Sequence, residues 1–142
     1  MNALVLAGGT LAADDPLYSQ STDGWRCLLD IHGRPMVQWV LDALNGAKSV
    51  HEIFIIGLPE TQELQSNKPL HFLQESGGLF ENIRCGVLAA TENDTASTKV
   101  LLASGDLPAI QPEMVEWLTE QVSQDPEAML YYNVITKDTM NK

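Results

Sequence analysis

Long apolar runs are missing from this sequence. No stretch approaches the roughly 20 consecutive apolar residues of a membrane span. The N-terminus enters a strand-like segment at once, with no basic stretch ahead of it, so a signal peptide is not expected. The cytoplasm is the default compartment on that basis. Cysteine is scarce: Cys27 and Cys85 lack metal-ligand spacing and lie among apolar neighbours, which points to reduced core thiols. Histidine is scarce too. His32, His51 and His71 are scattered, and no Ser-His-Asp or Cys-His arrangement follows from spacing. Positive charge is short, with 8 Lys and Arg against 19 Asp and Glu and a net charge of −11. Such a surface repels nucleic-acid backbones and anionic membranes, which are bound by clustered Lys and Arg. A small anionic ligand stays open to it, provided that backbone N–H groups, a few placed cations or a divalent metal hold the charge.

What is present suits one domain across residues 1–142, long enough to bury a core. The run "ALVLA" (Ala3–Ala7) stops at Gly8-Gly9 and reads as a strand buried on both faces. A polar stretch without steady period follows, "TLAADDPLYSQSTDGW", and predicts a long loop of the kind that usually binds or covers a ligand. "RCLLDI" (Arg26–Ile31) predicts a short strand. A helix then begins at Pro35, carries Met36, Val40, Leu41 and Leu44 on one face, and stops at Asn45-Gly46. Val50–Gly57 and Leu70–Gln74 read as further strands, and "LPETQELQ" between them as one helical turn. "LFENIRCGVLAA" predicts a helix whose apolar face is Leu79, Ile83, Val87 and Leu88. Lys99–Ser104 is a fourth strand. A helix from Pro112 follows, with Met114 or Val115, Leu118 and Val122 inward, and then a fifth strand over Ala128–Ile135. Strands alternating with helices imply an α/β fold, a mostly parallel sheet covered on both faces.

In an open sheet of this kind, ligands bind beyond the carboxyl ends of the strands where the strand order reverses. Three segments qualify: Gly8-Gly9, Ser76-Gly77-Gly78 and Gly105-Asp106. Glycine lets a ligand approach the backbone, and successive N–H groups make an anion nest. By itself Gly8-Gly9 serves equally as a tight turn after a buried strand. It is not the Gly-x-Gly-x-x-Gly dinucleotide fingerprint, and the second strand ends in Gly57 rather than an acidic residue, which disfavours a nicotinamide-dependent oxidoreductase. It is not a Gly-Lys-Ser/Thr phosphate loop either. Asp106, just past a buried strand, is a natural Mg²⁺ ligand, because that ion takes one or two protein carboxylates plus phosphate oxygens; a turn-forming aspartate is the plainer alternative. Arg26, after the long loop, is a cation able to neutralise triphosphate charge. The three tryptophans read as packing residues.

Four segments in order, "LVLAGGT", "RCLLDIHGRPMVQWVLDAL", "ESGGLFENIRCGVLAA" and "VLLASGDLPAIQPEMVEWL", resemble the nucleotidyltransferases of the glycosyltransferase-A-type (nucleotide-diphospho-sugar transferase) fold, a three-layer, Rossmann-like architecture. The nearest branch is that of the MobA-like NTP transferases, which includes molybdenum cofactor guanylyltransferases. The resemblance implies that Leu6, Ala7, Gly8, Gly9 and Thr10 wrap the nucleotide, and that Arg26 stands where the family has a phosphate-binding lysine. It also implies that Gly77, Gly78 and Asn82 lie near the nucleotide and that Asp106 binds Mg²⁺. Asp14 and Asp15 occupy a loop that is usually basic in the family. Relatives continue past the fifth strand, so residues 1–142 are expected to be the nucleotide-binding part of a longer fold. The implied activity is transfer of a nucleoside monophosphate from an NTP to a phosphorylated small molecule with release of pyrophosphate. The alternative is a nucleotide-binding domain without turnover. Neither a nucleic-acid polymer nor a membrane is an expected partner.

Overall fold

The computed structural model describes residues 1–92, 99–133 and 138. Ala3, Leu4 and Val5 are wholly shielded from water, which for a strand requires a covering layer on each face. β1 (Asn2–Leu6) meets that requirement from the middle of a parallel sheet. β2 (Asp30–Ile31) and β3 (Arg34–Pro35) form a separate small hairpin, whereas β4 (Ile53–Ile56), β5 (Leu70–Leu73) and β6 (Val100–Ser104) join β1 in the order β5-β4-β1-β6. All three ladders are parallel, with Leu6 opposite Ile56 on one side and Ser104 on the other. The chain therefore leaves β1 for β4 on one side and later returns to β6 on the other. The order reverses between β1 and β6, and their carboxyl ends flank that point.

Two cores follow from the alternation of side chains along the strands. On one face Ala3, Val5, Ile53 and Ile55 pack with Val37, Val40, Leu41 and Leu44 of α1 (Met36–Gly46) and with Val115 of α3 (Pro112–Gln124). On the other, Leu4, Phe54 and Ile56 lie under α2 (Leu79–Glu92), which contributes Ala90. The buried Asn2 side chain donates to the Ala90 carbonyl at 2.8 Å and ties the start of β1 to the end of that helix. Pro35 caps α1 with a φ of −55°, close to the helical value it favours. At the other end Lys68 Nζ donates to the Leu44 carbonyl at 2.7 Å and also to that of Ala47, groups the helix leaves without partners. This three-layer sandwich is the expected α/β architecture. No helix among the described residues is long and apolar enough to cross a membrane.

Several expectations need correction. Arg26–Ile31 is not one strand: a 3₁₀ turn, Arg26–Leu28, precedes the two-residue β2, which hairpins onto β3. His32 and Gly33, with φ of 56° and 78°, make the tight turn between them, and Asp30 accepts from the Gly33 amide. The segment after Gly57 makes a hydrogen-bonded turn, Gln62 N–H to Pro59 C=O, and no helix. Residues 128–133 form no strand, for a strand needs a neighbour to pair with and none of the described residues pairs with them; 134 and 135 lie outside the described residues. The inward face of α2 also differs. Leu79 and Leu88 are 59% and 55% exposed, while Asn82, Gly86 and Ala90 are buried. Small residues at this i, i+4, i+8 spacing let the helix sit directly on the sheet. In α3, Val115 and Thr119 face inward, Met114 is exposed, and Leu118 and Val122 are half-buried.

Gly86 carries the closest of these approaches: a Cβ there would lie 2.3 Å from Cδ2 of the fully buried Leu4. Gly86→Val should overpack this contact and lower unfolding free energy by about 1–3 kcal/mol, read from the midpoint of urea denaturation.

Candidate functional site

The sheet brings three of the singled-out segments to one edge. The Leu6 carbonyl accepts from the Gly105 amide at 2.8 Å, so Asp106 follows a residue bonded directly to the end of β1. The Arg26 amide donates to the Gly9 carbonyl at 3.1 Å, so the long loop closes back onto the glycine turn. A bridge between Thr10 and Trp25 and a 2.7 Å bond from the Leu11 amide to the Gly24 carbonyl tie the two ends of that loop together. Beneath it, the Cys27 thiol donates to the Ala7 carbonyl at 3.0 Å.

These contacts separate scaffold from exposed surface. Leu6 and Ala7 have their backbone groups engaged: Leu6 accepts from Gly105, and Ala7 donates to the Ile56 carbonyl and accepts from Cys27. Gly8, Gly9 and Thr10 are exposed. The amides of Gly8 and Gly9 donate to no protein acceptor among the described residues. Gly9 has a φ of +100°, a conformation that glycine adopts without the cost a side chain imposes. Gly77, with φ of +124°, and Gly78 are exposed at the start of α2. Asn82 is buried, and its Oδ1 accepts from the Ser76 amide at 2.8 Å, so it holds the second glycine turn in place from behind.

Two residues beyond the expected set belong here. Gly57 ends β4 with a φ of +102°, and a Cβ on it would lie 2.4 Å from both the N and Cα of Gly8. Two backbones touch at this point, and only glycine fits. Glu75, at the end of β5, lies over Gly8: a Cβ at Gly8 would meet its Oε1 at 2.2 Å. Its signal in the sequence is its place just past a strand and before Ser76-Gly77-Gly78, the same placement that singles out Asp106.

Electrostatics at this edge are mixed. Arg26, exposed and bonded through its backbone to Gly9, is the cationic residue here, while Asp106 and Glu75 contribute carboxylates. Asp106 is exposed, and its Oδ1 accepts a 2.5 Å hydrogen bond from the Ser104 hydroxyl. Among the described residues no three His, Cys, Asp or Glu side chains cluster as a metal-binding set. The donor set at Asp106 therefore fits an ion that takes one or two hard oxygens from protein and the rest from phosphate and water, as Mg²⁺ does. It does not fit a metal that needs three or four protein ligands.

Burial above all, with the Asp106 charge adding to it, pushes the Cys27 thiol up from its ordinary value to about 12. Near pH 8 it stays protonated, and the thiol form is a poor nucleophile. A thiol-reactive disulfide reagent at pH 8 should modify the half-buried Cys85 first and reach Cys27 only in denaturant, as counted by absorbance. Because the folded value lies above the unfolded one, Cys27 contributes stability that is whole below about pH 9 and is lost as pH rises toward 12. Cys27→Ala should flatten that part of the stability profile. Gly57→Ala should destabilise the fold by about 1–3 kcal/mol by pushing β4 from Gly8, read by thermal or urea unfolding.

Comparison with known proteins supplies what geometry cannot. The MobA-like NTP transferase domain model matches residues 3–137. A 2-C-methyl-D-erythritol 4-phosphate cytidylyltransferase from Prochlorococcus marinus is 27% identical over 111 residues, 74% of this chain and 48% of that protein. A probable molybdenum cofactor guanylyltransferase from Thermococcus sibiricus is 25% identical over 122 residues, 85% of this chain and 55% of that protein. Among solved structures, a hypothetical transferase from Thermus thermophilus is 26% identical with a TM-score of 0.66, covering 92% of this chain and 57% of that one. The chain thus spans about half the length of the curated relatives it matches. With a parallel sheet between two helical layers and a family match across most of its length, the chain belongs to the MobA-like NTP transferase domain family, nucleotidyltransferases of the glycosyltransferase-A-type fold.

Proposed function

We propose that this domain binds a nucleoside triphosphate at the carboxyl ends of β1 and β6 and, within the complete protein, transfers its nucleoside monophosphate to a phosphorylated small molecule. One observation carries this reading. Gly8 and Gly9 are exposed residues whose amides donate to no protein acceptor among the described residues, at the point where the strand order reverses and next to the backbone of Arg26. Such amides form a fixed anion site that needs no rearrangement when charge arrives.

The transfer balances simply. An oxygen of the acceptor's phosphate forms a bond to the α-phosphorus while the bond from that phosphorus to the bridging α–β oxygen breaks. The electron pair leaves with pyrophosphate. In this in-line transfer no protein nucleophile takes part, and the protein's work is positioning and charge stabilisation. The Gly8 and Gly9 amides hold phosphate oxygens, and the Arg26 guanidinium offsets their charge. Leu6, Ala7 and Asn82 hold the two glycine turns in register. Mg²⁺ would be held by Asp106, where it neutralises charge on the phosphate oxygens.

A thermal-shift panel of CTP, GTP, ATP and UTP with Mg²⁺ tests the binding step, because a ligand of the native state alone raises apparent stability. At least one nucleotide should raise the Tm, and Arg26→Ala should weaken that nucleotide about tenfold or more. Four null shifts would overturn the reading. In the complete protein, Asp106→Asn should cut Mg²⁺-dependent pyrophosphate release by about 100-fold or more. Unchanged release would remove Asp106 from the metal site, and nucleotide binding without release under any acceptor would leave a binding domain.

A further inference from the structure

We propose that Phe80, in the first turn of α2, is the platform on which the nucleobase stacks. This rests on the transfer reading above and adds the residue that holds the far end of the same nucleotide. Phe80 is 81% exposed, and its ring packs with neither hydrophobic core. Among the described residues it meets no other aromatic ring and no cation. Leu79 beside it is 59% exposed, so two large apolar side chains of this turn add little to the core.

A chain of contacts sets this turn beside the proposed phosphate site. The Glu75 carboxylate lies over Gly8, where a Cβ would meet its Oε1 at 2.2 Å. The next residue, Ser76, donates its amide to Asn82 Oδ1 at 2.8 Å. Asn82 is buried in α2, two residues beyond Phe80. The helix turns Asn82, Gly86 and Ala90 inward, so Phe80 stands on the outer part of its first turn. Helical side chains lean toward the amino end of their helix, and the amino end of α2 is the one at this edge. Gly77 and Gly78, exposed where the chain enters this turn, carry no side chains to obstruct a flat ring. The other flank of Gly8-Gly9 carries Ser104 and Asp106, polar groups without a ring. In the long loop Tyr18 already packs on Gly24. A nucleotide with its phosphates at Gly8 and Gly9 bears its base on the far side of a ribose, and an aromatic face suits any base because every base has a π-face. Stacking reads no hydrogen-bond pattern. Phe80 therefore contributes affinity for all four bases and leaves the choice among them to other groups.

The test uses the whole chain in Mg²⁺ buffer and two kinds of probe. One is the set CTP, GTP, ATP and UTP; the other is inorganic tripolyphosphate, which has the phosphates without the base. Affinities are read by calorimetric titration, with no turnover required. Phe80→Ala, at an exposed position that tolerates the change, should weaken each nucleotide that binds the wild type by about tenfold and leave tripolyphosphate unchanged, with circular dichroism and Tm confirming the fold. Phe80→Trp should keep the wild-type affinity, and the fluorescence it adds should fall saturably with nucleotide and not with tripolyphosphate. Nucleotide affinity indifferent to Phe80→Ala, or an equal loss for tripolyphosphate, would overturn the proposal. So would self-association of the wild type that Phe80→Ala relieves, because a second copy of the chain would then cover the ring. The two readings fail separately. A wild-type chain that binds no nucleotide overturns the transfer reading and the stacking with it, whereas nucleotide binding kept in full by Phe80→Ala overturns the stacking alone.

Discussion

The carboxyl end of β1 is gripped from both sides, and the rest of the edge depends on that grip. On one side the Leu6 carbonyl holds the Gly105 amide, and on the other Gly57 touches Gly8 backbone to backbone. The Ala7 carbonyl takes the Cys27 thiol from below. With so many neighbours fixed, the backbone at Gly8 and Gly9 is held in a defined turn. A rigid turn of this kind supports the proposed anion site, since a floppy one would have to be ordered by the ligand at the ligand's expense.

That site is set in a strongly acidic chain, and the contrast has consequences. A net charge of −11 opposes a triphosphate over the long range. On the proposed reading, local groups would supply the attraction: backbone dipoles at the glycines, the Arg26 charge, and a divalent cation at Asp106. Each acts at contact distance, where screening by salt is weakest. Glu75 over Gly8 adds an acceptor-only group to the same turn, which orients donors and repels misplaced phosphate. An acidic surface disfavours polymeric anions, while the proposed site would still admit a small, metal-bearing one.

Much of the fold was legible because the central strands β1 and β4 are buried on both faces. "ALVLA", "IFII" and "VLLAS" are short apolar runs closed by glycine or serine, and a parallel sheet is what such runs build. The α1 stripe was equally plain, since Met36, Val40, Leu41 and Leu44 all lie buried where their spacing puts them. Helix α2 was misread for a physical reason. Periodicity counts large apolar residues, yet this helix packs its smallest ones, Gly86 and Ala90, because Leu4 already fills the space. The expected fifth strand fails similarly over its described residues 128–133: β propensity is realised when a neighbour completes the ladder.

By itself, then, the sequence determined the class of fold and the small-residue turns at the strand ends. Those properties depend on residue type and on order along the chain. Only the tertiary structure decided that the strand order reverses between β1 and β6, that Arg26 closes onto Gly9, and that Asn82 works as a brace rather than a reaching hand. It alone disclosed Gly57 and Glu75 at the Gly8 turn. Each of these is a contact between residues far apart in sequence, set by how helices and strands share space, and no local pattern encodes it.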